Sequence, residues 1–160
     1  VLKAARMAAE GESLLSITNE VISMRERLLS IFMVDTLKYL LKGGRINKVQ
    51  AVMGSLLDIK PVLHINPQGR IDQLEKARGR KTAIKRLLSL MEDHGKNLAG
   101  QTVAISHAMC PEDACLMKEV LKQQFAVGEV IIGEIGSVIG THVGPGTLAL
   151  FFQGDKIKSS

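Results

Sequence analysis

The chain has 160 residues, 46% of them hydrophobic and 23% charged, with a formal net charge of +5. That length supports a single domain with its own core, and the apolar fraction excludes a disordered tail. No apolar run approaches the ~20 residues that cross a bilayer; two cysteines exclude a secreted disulfide scaffold and point to a reducing, cytoplasmic compartment; and aromatics at 3% leave little for base stacking.

The first residue is not Met, and Val1 to Glu10 is already helical in composition, so the chain reads as a fragment. Helix is expected to run to about Arg27, broken at Gly11 and resumed after Ser13, with Leu14, Ile17, Val21 and Met24 at helical spacing. Ile31-Phe32-Met33-Val34 is a continuous apolar run, the pattern of a buried strand. Asp35-Thr36 is expected to cap a short helix that turns Leu37, Leu40 and Leu41 inward, and Gly43-Gly44 stops it. Asn47 then caps a helix with Val49, Val52, Met53 and Leu56 on its apolar face.

Ile59 to Ile65 and Arg70 to Lys76 form a hairpin about the turn Asn66-Pro67-Gln68-Gly69, and Pro61 puts the start of the first strand at an edge or ahead of its ladder. From Arg80 to about Asp93 a helical stripe carries Ala83, Ile84, Leu87, Leu88 and Met91. Thr102 to His107 is a strand, and Pro111 opens a helix with Glu112 and Asp113 in its first turn and Leu116, Met117, Val120 and Leu121 facing inward. Glu129 to Ile135 and Leu148 to Phe152 complete six strands. Helices and strands interleave, so the fold class is α/β, an α+β-like two-layer domain in which one sheet of about six strands is covered by helices.

The charge is local. Between residues 70 and 86, Arg70, Lys76, Arg78, Arg80, Lys81, Lys85 and Arg86 stand against Asp72 and Glu75, and elsewhere the charges cancel. Such a patch attracts phosphate, nucleic acid or an acidic protein surface; a solvated helix face is the plain alternative.

Three constellations have chemistry to offer. Gly136 to Thr147 holds four glycines, a proline, Thr141 and His142 between two apolar strands, where close backbone amides with Thr and His donors suit an anionic oxygen. It is not a P-loop, because no Gly-Lys-Ser/Thr ending follows. Gly43-Gly44-Arg45-Ile46 brings one guanidinium to a helix boundary, for an anionic head group, a partner carboxylate, or a structural tie over helix carbonyls. Arg78-Gly79-Arg80-Lys81 puts two arginines at a strand-to-helix junction that can hold phosphate.

Other arrangements fail. His107, Cys110 and Cys115 lack a fourth ligand at matching spacing, and Cys115 falls within an apolar helix, so no metal site is expected. His64 and His94 read as structural, and Met33, Met53, Met91 and Met117 as core filling. No nucleophile elbow is present, so the chemistry is that of a binder rather than an enzyme.

Four stretches keep a specific order across roughly residues 30 to 152: Val34-Asp35-Thr36-Leu37-Lys38-Tyr39-Leu40-Leu41-Lys42-Gly43-Gly44-Arg45-Ile46, Gly54-Ser55-Leu56-Leu57-Asp58-Ile59-Lys60-Pro61-Val62-Leu63, Glu75-Lys76-Ala77-Arg78-Gly79-Arg80-Lys81, and Ile139-Gly140-Thr141-His142-Val143-Gly144-Pro145-Gly146-Thr147. In that order they resemble the DegV family of bacterial lipid-binding proteins. The resemblance implies a two-domain molecule of which this chain is the C-terminal domain, with a mixed sheet of about six strands covered by helices. Residues 1–28 are then a helical lead-in from a missing N-terminal α/β domain, and 29–160 the lipid-binding domain. It implies one bound long-chain fatty acid, its tail buried and its carboxylate held by His142, Thr141 and Gly140 of a Gly-rich loop, with Arg45, Arg78 and Arg80 as head-group or partner contacts.

The implied partner is an ATP-dependent fatty acid kinase subunit, which makes acyl phosphate from the presented acid. The protein itself has no catalysis, no cofactor and no metal in this reading, and transient contact with a membrane surface is compatible with it. The family usually has alanine where Thr147 stands, with a minor effect expected. A nucleic-acid-binding module using residues 70–86 is the alternative, although no nucleic acid partner is expected.

Overall fold

The computed structural model describes residues 1–46 and 58–157, so the helix expected after Asn47, with Val49, Val52, Met53 and Leu56, lies outside the described residues. Their elements are α1 (Leu2–Ala9), α2 (Leu14–Arg27), β1 (Leu28–Met33), α3 (Lys38–Lys42), β2 (Ile59–Ile65), β3 (Ile71–Arg78), α4 (Arg80–His94), β4 (Thr102–His107), α5 (Pro111–Phe125), β5 (Glu129–Glu134), α6 (Ser137–Val143) and β6 (Leu148–Gln153). Ser13 ends the break between α1 and α2 by capping α2, its hydroxyl accepting the Ser16 N–H at 3.1 Å.

The six strands form one mixed sheet in the order β3-β2-β1-β6-β4-β5. Every neighbouring pair is antiparallel except β4 and β5 at one edge, which run parallel and are joined by α5. Pro61 lies opposite Lys76 of β3 but ahead of the β1 ladder, which begins at Val62.

Strand alternation sorts the core into two clusters. Leu29, Ile31 and Met33 of β1 and Leu148, Leu150 and Phe152 of β6 point to one face, packed by Ala83, Leu87 and Met91 of α4 and Ala114, Met117 and Leu121 of α5. Phe32, Leu63 and Ala149 point to the other, packed by Leu37, Leu40 and Val143 from around α3 and α6. Helices thus occupy both faces, giving three layers where the sequence suggested two. Alternating strands with apolar residues in both registers, such as Ile31-Phe32-Met33, leave two faces to bury, and one helical layer cannot cover both.

Several local expectations change for similar reasons. Leu116 is 66% exposed, because the buried stripe of α5 runs through Ala114, Met117 and Leu121 and turns its neighbour outward; Cys115 is exposed as well. Asp35 does not cap α3; the N-cap, Leu37, makes no side-chain cap bond, the Thr36 hydroxyl just ahead of it accepts the Lys38 N–H at 3.2 Å, and Asp35 joins an ion-pair cluster. Leu14 and Val21 keep their helical spacing but remain exposed, and α2 has no buried residue.

The segment 136–147 is not a loop. Ser137–Val143 is helical, bounded by Gly136 and by Gly144 in the left-handed region, and Val143 packs into the second cluster. That burial offsets the cost of Gly140 inside the helix, about 1 kcal/mol.

Candidate ligand site

Strand register gathers the chemistry at one end of the sheet. Ile59 of β2 pairs with Arg78, Met33 with Val62 and Leu148, and His107 with Leu148 and Glu134. The ends of β1, β3, β4 and β5 and the starts of β2 and β6 therefore lie side by side; the start of β2 carries Lys60, and the connections at this end carry Asp35, Arg80, Cys110, His142 and Thr147.

His142 stands on the last turn of α6 and is half-buried, with Nδ1 enclosed and lacking a hydrogen-bond partner. Its ring lies over Gly43, where a Cβ would overlap Nδ1. Tyr39 makes the reciprocal contact, its ring over Gly144, where a Cβ would overlap the ring and φ is +81°. Two glycines thus let α3 and α6 interlock with their aromatic rings against each other's backbone. Beneath them lies the apolar cluster of Phe32, Val34, Leu40 and Leu63, and beside α3 is a small cleft of about 10 Å³, lined by Leu37, Ile46, Leu63, Ile71 and Gln73.

The other two residues of this trio are committed locally. Thr141 is exposed, and its hydroxyl donates to Val138 O at 2.9 Å, leaving its oxygen free to accept. The Gly140 N–H donates to Gly136 O at 2.8 Å within the helix. The anion-facing chemistry of α6 therefore rests on the His142 imidazole.

The three arginines separate. Arg45 Nη1 donates to Gly43 O at 2.8 Å, tying down the carbonyl of the glycine that carries the His142 ring. Arg78, the last residue of β3, is exposed, as is Lys81. Arg80, two residues after Arg78, is drawn inward: Nε donates to Asp113 Oδ2 at 2.7 Å, and Nη1 to Asp35 Oδ1 at 3.0 Å and to Gly146 O at 2.7 Å. Burial opposes its charge, but the hydrogen bond to Asp113 and the fields of Asp113 and Asp35 outweigh this and hold its pKa above the usual arginine range.

Lys60 completes the cluster, 3.2 Å from Asp35 and 3.8 Å from Asp58. Arg86 pairs with Glu75 through two hydrogen bonds, one of them Nε to Oε2 at 2.6 Å, and the Glu75 carboxyl is held below its ordinary range chiefly by that bond. Two of the seven cations in the 70–86 span are thus neutralised inside the fold.

Sequence reasoning read Asp35 as a helix cap and Asp113 as a first-turn acid of α5 and gave Lys60 no role, because nothing in their spacing shows that both carboxylates meet Arg80 and that Lys60 reaches Asp35. Cys110, expected in no site, is buried with its thiol donating to Thr147 O at 3.3 Å, and burial pushes its pKa up.

Comparison with known proteins places the chain in a lineage. A profile described as "Uncharacterised protein, DegV family" matches residues 1–155. A DegV domain-containing protein of Clostridium perfringens is 41% identical over 155 residues, 97% of this chain and 53% of its own length. The chain accordingly spans about half the length of the curated relatives it matches. A DegV family protein from Thermus thermophilus, described for its fatty acid binding, is 31% identical with a TM-score of 0.84, covering 96% of this chain and 55% of that one. The Streptococcus pneumoniae Fatty Acid Kinase (Fak) B3 protein loaded with linoleic acid has a TM-score of 0.85 over 96% of this chain and 54% of that one; at 19% identity this is a likeness of fold alone. Since the profile runs through nearly the whole chain, and identity above 40% accompanies it, the chain belongs to the DegV family.

Proposed function

We propose that this chain is the C-terminal, lipid-binding part of a fatty acid carrier. In it, residues 1–28 lead in from a partner domain, residues 29–160 hold the acid, and His142 binds the carboxylate. The observation that carries the proposal is the half-buried His142, with an unpartnered ring nitrogen, directly above an apolar layer. A carboxylate oxygen accepts the imidazole N–H, and the charge-assisted hydrogen bond fixes the head group at the sheet end. The tail enters the layer of Phe32, Val34, Leu40 and Leu63 and widens the cleft beside α3. The 31% identical Thermus thermophilus protein, described for its fatty acid binding, supports the ligand class.

The carrier presents the carboxylate to an ATP-dependent kinase subunit. There a carboxylate oxygen forms a bond to the terminal phosphorus of ATP as the bond to the ADP oxygen breaks, so the chemistry belongs to the partner. Exposed Arg78, Lys81 and Lys85 offer the partner a cationic face. The nucleic-acid alternative is weakened by the same geometry, since Arg80 and Arg86 are engaged with internal carboxylates.

The test is lipid extraction with native mass spectrometry on the intact protein, with and without His142→Ala. A single co-purified long-chain fatty acid, lost or weakened at least tenfold in the variant, is the expected result. Uptake of added fatty acid that is indifferent to His142→Ala would remove the site assignment, and failure to take up any fatty acid would remove the function.

A further inference from the structure

We propose that Arg80 is a positioning residue: it fixes the turn after α6, and through that turn the His142 imidazole, instead of lending its charge to a ligand or partner. This rests on the assignment of His142 as head-group donor.

Arg80 joins elements that sequence keeps far apart. Its Nε bonds Asp113 in the first turn of α5, and its Nη1 bonds Asp35 beyond β1 and the carbonyl of Gly146 between α6 and β6. The side chain is only 26% exposed, and both of its carboxylate partners come from other elements. A guanidinium held in three directions by a fixed fork of donors is a rigid joint, which an ammonium cannot copy.

From Gly146 the path is short and hydrogen-bonded as far as the residues that directly follow His142. Gly146 has φ of +79°, and a Cβ there would run into the Asp35 carboxylate, so the turn packs directly on the ion pair. Its N–H donates to Ala108 O at 2.8 Å, and the Ala108 N–H donates to Thr147 O at 2.9 Å, locking the turn to the end of β4. The buried Thr147 hydroxyl then reaches back to the last carbonyls of α6, Val143 O at 3.1 Å and Gly144 O at 2.9 Å. These carbonyls close the turn on which His142 stands. Thr147 thereby acts as a C-terminal cap on α6 and links the Arg80 joint to the turn that carries the imidazole.

Lys81, the next residue in the chain, makes no such link: it is exposed and forms no ion pair among the described residues. Position at the strand-to-helix junction therefore does not define the role; the three bonds do.

A double-mutant cycle on oleate affinity in the intact protein tests this, together with the imidazole ¹H–¹⁵N signals of lipid-free protein, His142 being assigned with His142→Ala. Arg80→Lys should weaken oleate binding at least tenfold alone but less than twofold in the His142→Ala background, and should shift the His142 signals without lipid. Lys122→Ala, at an exposed lysine of α5, should change neither. Additive losses, or unmoved His142 signals, would overturn the proposal; so would a drop in Tm with oleate affinity unchanged. If Arg80→Lys does not fold, Thr147→Ala cuts the same path nearer its end and is held to the same signal shift and the same non-additivity. If the unmodified protein takes up no oleate, the carrier function fails, while the lipid-free His142 signals still decide the role of Arg80.

Discussion

Gly43 shows how one missing side chain shapes the candidate site. It ends α3, and its hydrogen-only side lets the His142 ring lie against the backbone. Gly43→Ala must displace that ring, because a Cβ would overlap Nδ1. Overpacking of this kind costs about 1–3 kcal/mol, so fatty acid affinity should fall about tenfold or more, as read by displacement of a fluorescent fatty acid. A variant binding as tightly as the parent would mean that the ring's place on Gly43 is immaterial. The sequence showed Gly43-Gly44 as a helix stop and His142 as a candidate donor; that they touch could not be read from positions a hundred residues apart.

Among the elements, the β2–β3 hairpin makes stability depend on pH. His64 is buried in β2, with Nε2 3.9 Å from Asp72 Oδ2 on the paired strand and His94 nearby at the end of α4. Burial pushes the His64 pKa below its ordinary 6.5, Asp72 opposing and His94 assisting. Below that pH the unfolded chain takes up a proton that folded His64 refuses, so stability falls as pH drops from 6.5 toward the folded value. The urea midpoint should therefore be lower at pH 5.5 than at pH 7.5 (working conditions of about these values), and the difference should shrink in His64→Gln. An equal difference in the variant would assign the effect elsewhere. The elements themselves were largely legible: all six strands and the breaks at Gly11, Gly43 and Gly79 follow from apolar runs and turn residues. The exception was α6, whose glycines read as a loop until Val143 found a core to enter.

For the whole molecule, the α1–α2 hairpin poses the largest question. Arg6 ties α1 to Glu129 at the start of β5 at 2.8 Å, yet Leu14 is 81% and Leu15 70% exposed, with Ile22 beside them. The curated relatives have about twice this length, and the carrier proposed above expects its partner domain to cover this face. Burying a leucine contributes about 1.5–3 kcal/mol, so Leu15→Ser should lower the Tm of the intact protein by a corresponding several degrees. A change within the ~0.5 kcal/mol typical of surface positions would show that the face stays open to water. Among the described residues no helix is long and apolar enough to cross a membrane, so this surface is not a span.

Local chemistry determined what the sequence revealed by itself. Apolar alternation, glycine punctuation and capping residues act over a few positions, and they sufficed for the strands, most helices, the +5 span and His142 as the candidate donor. Only tertiary structure decided which charges are free. Arg78, Arg80 and Lys81 are near neighbours in sequence, but Arg80 alone meets Asp35, Asp113 and Gly146, residues brought together by strand register. It likewise decided that α3 and α6 interlock through Gly43 and Gly144, because contact between distant backbones depends on where the sheet delivers each connection and leaves no periodicity to read.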